Sequence, residues 1–389
     1  MWHSRGIARR FLWALGAPLV AAGTAAGFGP AAASAVACQT WTGVQAPSPG
    51  TVVNELDGVS VVSPSDVWAA GFDFGDGPDR TLIEHWDGSS WAVIPSPDPG
   101  SGDNQLHAIR ALSASNIWAV GSYSTGTGSK TLILHWNGTT WTQVPSPSPA
   151  AGNVLTAVRA VSAGDVWAVG FTASAGPTDH TLILHWNGTT WNRVPSPSPG
   201  TLDNLAGVAA TSATNAWAVG ETLQNGTGEN PLILHWNGTT WKQVTSPGPG
   251  DSGFLNSVGA TSAANAWAVG TYDNGTADQT LTLRWNGTAW KKIASPNPAG
   301  SAQINVLWGV TATSASNAWA VGDYDNGPAQ NTLILHWNGT TWAQVPSPSP
   351  GDSSNTLRGV AATSASNAWA AGDAASSSGP DQALALRCT

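Results

Sequence analysis

The side chains able to do chemistry in this chain gather around one recurring leucine. The residue after that leucine differs at each occurrence: Asp57, His107, Thr156, Ala206, Asn256, Trp308 and Arg358. A position serving only to pack would repeat, so this one is read as a candidate ligand-facing position. Asp57 and His107 are the types that exchange protons with a substrate. Arg358 pairs with anions, and Trp308 offers a flat face on which a sugar ring can stack. Glu55, one residue before the leucine, adds a second carboxylate. Two residues before it an Asx recurs at Asn54, Asn104, Asn153, Asp203, Asn305 and Asn355, with Gly253 the exception. These either start a strand through an Asx-turn or ring a ligand site with amides suited to hydroxyl-rich ligands.

Other chemical signals are weaker. His85, His135, His185, His235 and His336 recur once per repeat, with Arg284 and Arg387 in their place in two copies. One histidine per repeat does not converge with the next as metal ligands must, so a packing or hydrogen-bonding role is expected. Asp73, Asp76 and Asp79 share one Gly-rich loop and Asp323 and Asp325 another; calcium is conceivable there, but the spacing matches no EF-hand loop, and no cofactor is expected. Asn137, Asn187, Asn237, Asn286 and Asn338 satisfy the glycosylation acceptor pattern, yet their regular place in turns accounts for them. There is no nucleophile elbow, P-loop or dinucleotide fingerprint. Carboxylate pairs for glycoside cleavage can come from distant segments, which leaves Asp57 and Asp203 as the main acids open to that role and Glu55 as a further one.

The elements that must position these residues follow from three tryptophan series. Trp-Ala-(Val/Ala)-Gly recurs at Trp68, Trp118, Trp167, Trp217, Trp267, Trp319 and Trp369, at intervals of 50, 49, 50, 50, 52 and 50. A second series runs Trp41, Trp91, Trp141, Trp191, Trp241, Trp290 and Trp342. A third, ending strings such as TLILHW, runs Trp86, Trp136, Trp186, Trp236, Trp285 and Trp337, and in the last copy Cys388 stands in its place. Each repeat parses into four short strands rich in β-branched and aromatic residues. Asn-Gly makes the turn between third and fourth strands, Ser-Ala-x-Asn/Asp the turn between first and second, and a Pro-rich stretch leads to the next repeat. Four antiparallel strands per unit of about 50 residues is a propeller pattern. The expectation is an all-β, seven-bladed β-propeller whose in-register tryptophans fill the space between blades.

Ring closure is expected from the ends. The first strand read is a fourth strand, Trp41 to Gln45, and the last a third strand, Leu384 to Cys388. The termini therefore hold complementary parts of one blade, and pairing them removes exposed sheet edges. Cys38 and Cys388 are the two cysteines of the chain, placed where a hairpin would join strands three and four. A Cys38–Cys388 disulfide is predicted, worth about 4–5 kcal/mol by loop closure. The other reading of Cys38 is a lipidated N-terminal cysteine, against which Ala35 and an unpaired Cys388 both count.

Residues 1–37 read as a signal peptide: Arg5, Arg9 and Arg10, then an apolar stretch, then small residues at Ala33, Ala35 and Ala37. Residues 38–389 form the single propeller domain, without a further membrane-spanning run. The strings WNGTTW and NAWAVG resemble those of bacterial exported repeat propellers, a loosely kelch-like or BNR-like group. The chain departs from true kelch blades in lacking a Gly-Gly doublet, and from sialidase-type blades in lacking Ser-x-Asp-x-Gly-x-Thr-Trp. The resemblance implies a fold and no particular function.

Net charge is −9, and charged residues make up only 10%, well under the roughly 25% usual in soluble domains. A nucleic-acid partner thus has no electrostatic footprint here and is not expected, and the acidity is too thin to imply a cationic one. The loops between strands two and three vary and share a face with the opening of strand one, which makes that face the candidate site. The leading expectation is a secreted or cell-surface monomer that binds glycans or other polar ligands without catalysis. The alternatives are a polysaccharide hydrolase or lyase using Asp57, Glu55 or His107, and a protein–protein scaffold.

Overall fold

The computed structural model describes residues 38–174, 178–224, 228–248 and 252–388. The expected signal peptide lies outside them. The described residues form strands and no helix, and so no helix long and apolar enough to cross a membrane.

Each repeat folds as the sequence predicts. In one, Asn104–Ser113, Asn116–Thr125, Gly128–Trp136 and Trp141–Gln143 pair antiparallel in chain order. Trp118 and Val120 alternate with Ile117 and Ala119 on opposite faces, and all four are buried. A strand covered on both sides must be apolar at every position, which is why these strands read as unbroken hydrophobic runs. The Asn-Gly turns are closed by the asparagine: Oδ1 of Asn137 accepts the backbone N–H groups of Thr139 and Thr140 at 2.9 and 3.0 Å.

The strands assemble into five four-stranded sheets and one of eight. The eight-stranded sheet is two such groups joined by a single parallel pairing, Asp179 to Leu202. One four-stranded sheet is built from both ends of the described chain. Trp41–Gln45 lies antiparallel on Gln382–Cys388, with Trp41 opposite Cys388 and Gln45 opposite Leu384. Cys38 and Cys388 form the predicted disulfide, so the lipidated reading of Cys38 is set aside.

Tryptophan packs successive sheets together. The second-strand tryptophan of each group meets the fourth-strand tryptophan of a neighbouring group edge to face. The pairs run from Trp68–Trp141 at 5.8 Å to Trp319–Trp41 at 5.3 Å and Trp369–Trp91 at 5.4 Å. Such geometry sets the positive ring edge against the negative ring face. The recurring histidines stack on the same tryptophans, as His135 does on Trp118 at 4.3 Å. Their Nε2 atoms bond the turn residue that opens strand two, such as Asn116 (3.0 Å) or Asp165 (2.8 Å). They are packing and hydrogen-bonding residues, as expected.

Candidate functional site

The variable position after the leucine is a β-bulge. In every group the pairing of first and second strands slips by one residue there, between Leu56 and Gly58, Leu106 and Ala108, Leu307 and Gly309, and Leu357 and Gly359 among them. A bulged residue has no cross-strand partner, and its side chain is re-aimed out of the sheet. That frees it from packing, which is why Asp57, His107, Thr156, Ala206, Asn256, Trp308 and Arg358 can all differ. Two neighbours are held small by the bulge. A Cβ on Gly71 would lie 1.9 Å from the carbonyl oxygen of Glu55, so the glycine of Trp-Ala-(Val/Ala)-Gly makes room for the kinked strand. A Cβ on Gly359 would lie 2.9 Å from the carbonyl oxygen of Asp57, so the first strands of two groups run close side by side.

At that close approach four of the predicted residues converge. Arg358 Nε lies 2.9 Å from Glu55, 3.5 Å from Asp57 and 3.1 Å from Asp373. His107 Nδ1 lies 3.0 Å from the other oxygen of Asp57. Trp308 donates its indole N–H to Asp323 at 2.6 Å. The other bulge residues turn to backbone: Thr156 donates to the carbonyl of Leu205 at 2.6 Å and Asn256 to that of Leu307 at 2.9 Å. Arg358 keeps 31% of its side chain exposed and His107 24%, so solvent reaches the cluster.

The carboxyls divide into two states. Burial, and then the charge of Asp57, push Glu55 up to about 10. Burial pushes Asp57 up as well, but the bond from His107 and the charge of Arg358 outweigh it and hold Asp57 below its ordinary value. Glu55 is therefore the protonated partner and Asp57 the ionised one. As an acceptor, Asp57 fixes the His107 proton on Nδ1 and leaves Nε2 as the basic nitrogen. Burial raises Asp323 to about 6 against the opposing bond from Trp308, and it also raises Asp373.

The Asx ring corrects one expectation. Asn54, Asn153, Asp203, Asn305 and Asn355 are fully buried and Asn104 nearly so. Their Oδ1 atoms accept backbone N–H groups of the preceding crossing, such as Gly50 (2.6 Å), Gly200 (3.0 Å) and Gly351 (2.7 Å). The asparagine amides donate to carbonyls there, as from Asn54 to Gly50 and Asp381. These side chains clamp the Pro-rich crossing onto the strand and present nothing to a ligand. Asp373 and Asp323, conversely, belong to the cluster. The signal that would have found them is the residue after the Trp-Ala-(Val/Ala)-Gly glycine, which varies as Phe72, Ser122, Phe171, Glu221, Thr271, Asp323 and Asp373. Among the described residues, no three His, Cys, Asp or Glu side chains converge to hold a metal ion.

No protein-family model matches the chain, and no curated protein matches it. Solved structures do. YCF48 bound to a D1 peptide is 14% identical with a TM-score of 0.56, over 92% of this chain and 99% of that one. The GH74 xyloglucanase from Xanthomonas campestris is 13% identical with a TM-score of 0.51, over 85% of this chain and 53% of that one. A PL25 ulvan lyase is 10% identical with a TM-score of 0.51, over 90% and 94%. The fold is a β-propeller. At these identities the likeness is one of fold alone. The four-stranded groups are its blades, and the cluster sits at the bulges of their first strands.

Proposed function

We propose that this chain is an exported, seven-bladed β-propeller, closed by pairing of its own ends, that binds glycans or similar polar ligands without catalysis. Supporting seven blades and closure are the two-ended sheet, the disulfide, the Trp369–Trp91 contact between last and first blades, and Arg358 reaching from the last first-strand to Glu55 and Asp57 on the earliest. Export agrees with a disulfide, which persists in oxidising compartments, and with a propeller relative described as an extracellular domain from B. thetaiotaomicron.

The observation that carries the binding reading is Trp308. It is the one tryptophan at a bulge, part-exposed, with its indole fixed by Asp323 beside the polar cluster. An immobilised aromatic face flanked by a few fixed polar groups is how concave sites recognise sugars. The ligands in the names of the xyloglucanase and the ulvan lyase are polysaccharides, which agrees with this. The test is a glycan array followed by calorimetry on the hit. Trp308→Ala is expected to weaken binding about tenfold or more, the effect of losing an aromatic anchor. An array without signal would sink the reading. A single protein partner, captured whether or not sugars are present, would favour the scaffold role, as the peptide in the YCF48 structure illustrates.

One observation favours an enzyme as second reading: the Asp57–His107 pair beside a protonated Glu55, an acid and a base held apart by environment. Glu55 and Asp57 hydrogen-bond to each other, closer than the roughly 5 Å or more that glycoside hydrolysis needs between carboxylates. Catalysis here would therefore run as a lyase, with His107 Nε2 taking a proton. Product formed by the wild type and lost in Asp57→Asn would establish it; unchanged polysaccharide would leave the binding role.

A further inference from the structure

Two arginines lie elsewhere on the first strands without a counter-ion. The fourth residue after the leucine stands opposite the buried second-strand tryptophan in every blade. In five blades it is small: Ser60, Ala209, Gly259, Thr311 and Ala361. In two consecutive blades it is Arg110, opposite Trp118, and Arg159, opposite Trp167. Their strands, Asn104–Ser113 and Gly152–Ser162, pack against each other. The Nε of each is shut off from solvent and has no hydrogen-bond partner. Neither arginine is among the ion pairs or the cation–π contacts of the described residues.

Holding two half-buried like charges side by side without compensation is costly. Burial, and then the charge of Arg110, push Arg159 down to about 9, and no carboxylate acts against that on either residue. A guanidinium is a rigid fork of five donors that fits oxyanions.

We propose that Arg110 and Arg159 together bind a tetrahedral oxyanion, phosphate or sulfate, held between the first strands of consecutive blades. The site is independent of the glycan reading, because it rests on neither Trp308 nor the Arg358 cluster. The anion is either free in solution or the ester group of a larger ligand.

The experiment is calorimetry and thermal unfolding of the full secreted chain with inorganic phosphate, sulfate and glucose 6-phosphate, against chloride at equal ionic strength. One phosphate or sulfate is expected to bind per chain and to raise the unfolding midpoint. Arg110→Met and Arg159→Met are each expected to weaken that binding at least about tenfold, the loss of one charge-assisted contact. Without anion the variants are expected to unfold at an equal or higher temperature, because one of two repelling charges is gone. The exposed Arg193→Met serves as control and keeps the response. Glucose 6-phosphate binding that is lost in the variants identifies an esterified ligand; phosphate alone identifies a free ion. Stabilisation of the same size in wild type and both variants would reduce the effect to the general action of such salts and overturn the site. Selenate-grown crystals test it without a variant: selenium density between the two guanidiniums supports the proposal, and density elsewhere or nowhere refutes it.

Discussion

Glu84→Leu is expected to stabilise the protein, and by much more near pH 9 than near pH 5. Glu84 lies in the third strand of the first blade, Arg80–Trp86, where other blades carry Leu134, Leu184, Leu234, Leu283, Leu335 and Leu386. It is fully buried, and neither carboxyl oxygen has a partner. Its strand neighbours in register are Ala69 and Val93, and the sole influence on its acidity is burial, which raises it from 4.5 to about 8. In the unfolded chain the carboxyl loses its proton around 4.5; in the folded protein it keeps it to about 8. The folded state therefore binds the extra proton between these values. Stability falls as pH rises through that window and levels off above it. At about 1.4 kcal/mol per unit the fall is on the order of 5 kcal/mol. Even protonated, an unpaired buried carboxyl costs about 1–3 kcal/mol. Leucine removes both penalties with little change of volume. Urea unfolding of both proteins across pH 4 to pH 10 is the measurement. Glu55 adds its own alkaline fall to both curves, so the difference between them isolates Glu84. Parallel pH profiles would show that Glu84 finds a partner or water in solution.

Cys38→Ser is expected to cost on the order of 5 kcal/mol, because the bridge closes a loop of 350 residues in the unfolded chain. The native consequence is local. Without the bridge, Trp41–Gln45 is held to Gln382–Cys388 by five residue pairs and by burial of Trp41 against Trp319. This strand should then detach before the rest of the propeller unfolds. The expected results are a lower unfolding midpoint for Cys38→Ser, the same drop on reduction of the wild type, and early proteolysis between residues 38 and 52. A variant with unchanged stability and protease resistance would mean that strand pairing alone closes the blade.

Much of this was legible in the residues. The strands, their boundaries at Trp41 and Gln45, the composite blade and the disulfide follow from three tryptophan series and the places where they break. Repeats made this possible, because seven noisy copies of a four-stranded pattern reinforce one another. The candidate cluster was half legible. Asp57, His107, Trp308, Arg358 and Glu55 stood out by varying where a structural residue would repeat, but that test also admitted the buried Asx clamps. A side chain serving the backbone of its own crossing and one serving a ligand look alike along the chain.

What the sequence determined by itself is what depends on local period and spacing: strand, turn, repeat, and which residue pairs with which inside a blade. The tertiary structure alone decided what depends on contacts between blades. It turned the bulge residues toward neighbouring blades, brought Arg358 to Glu55, Asp57 and Asp373, separated the two carboxyls into acid and base, and left Glu84 fully buried and Arg110 and Arg159 half-buried without counter-charges. The physical reason is that burial and Coulomb interaction act across space over a few ångströms. Residues some 300 apart in sequence can touch, so neither the charge state nor the partner of a side chain is written in its neighbours along the chain.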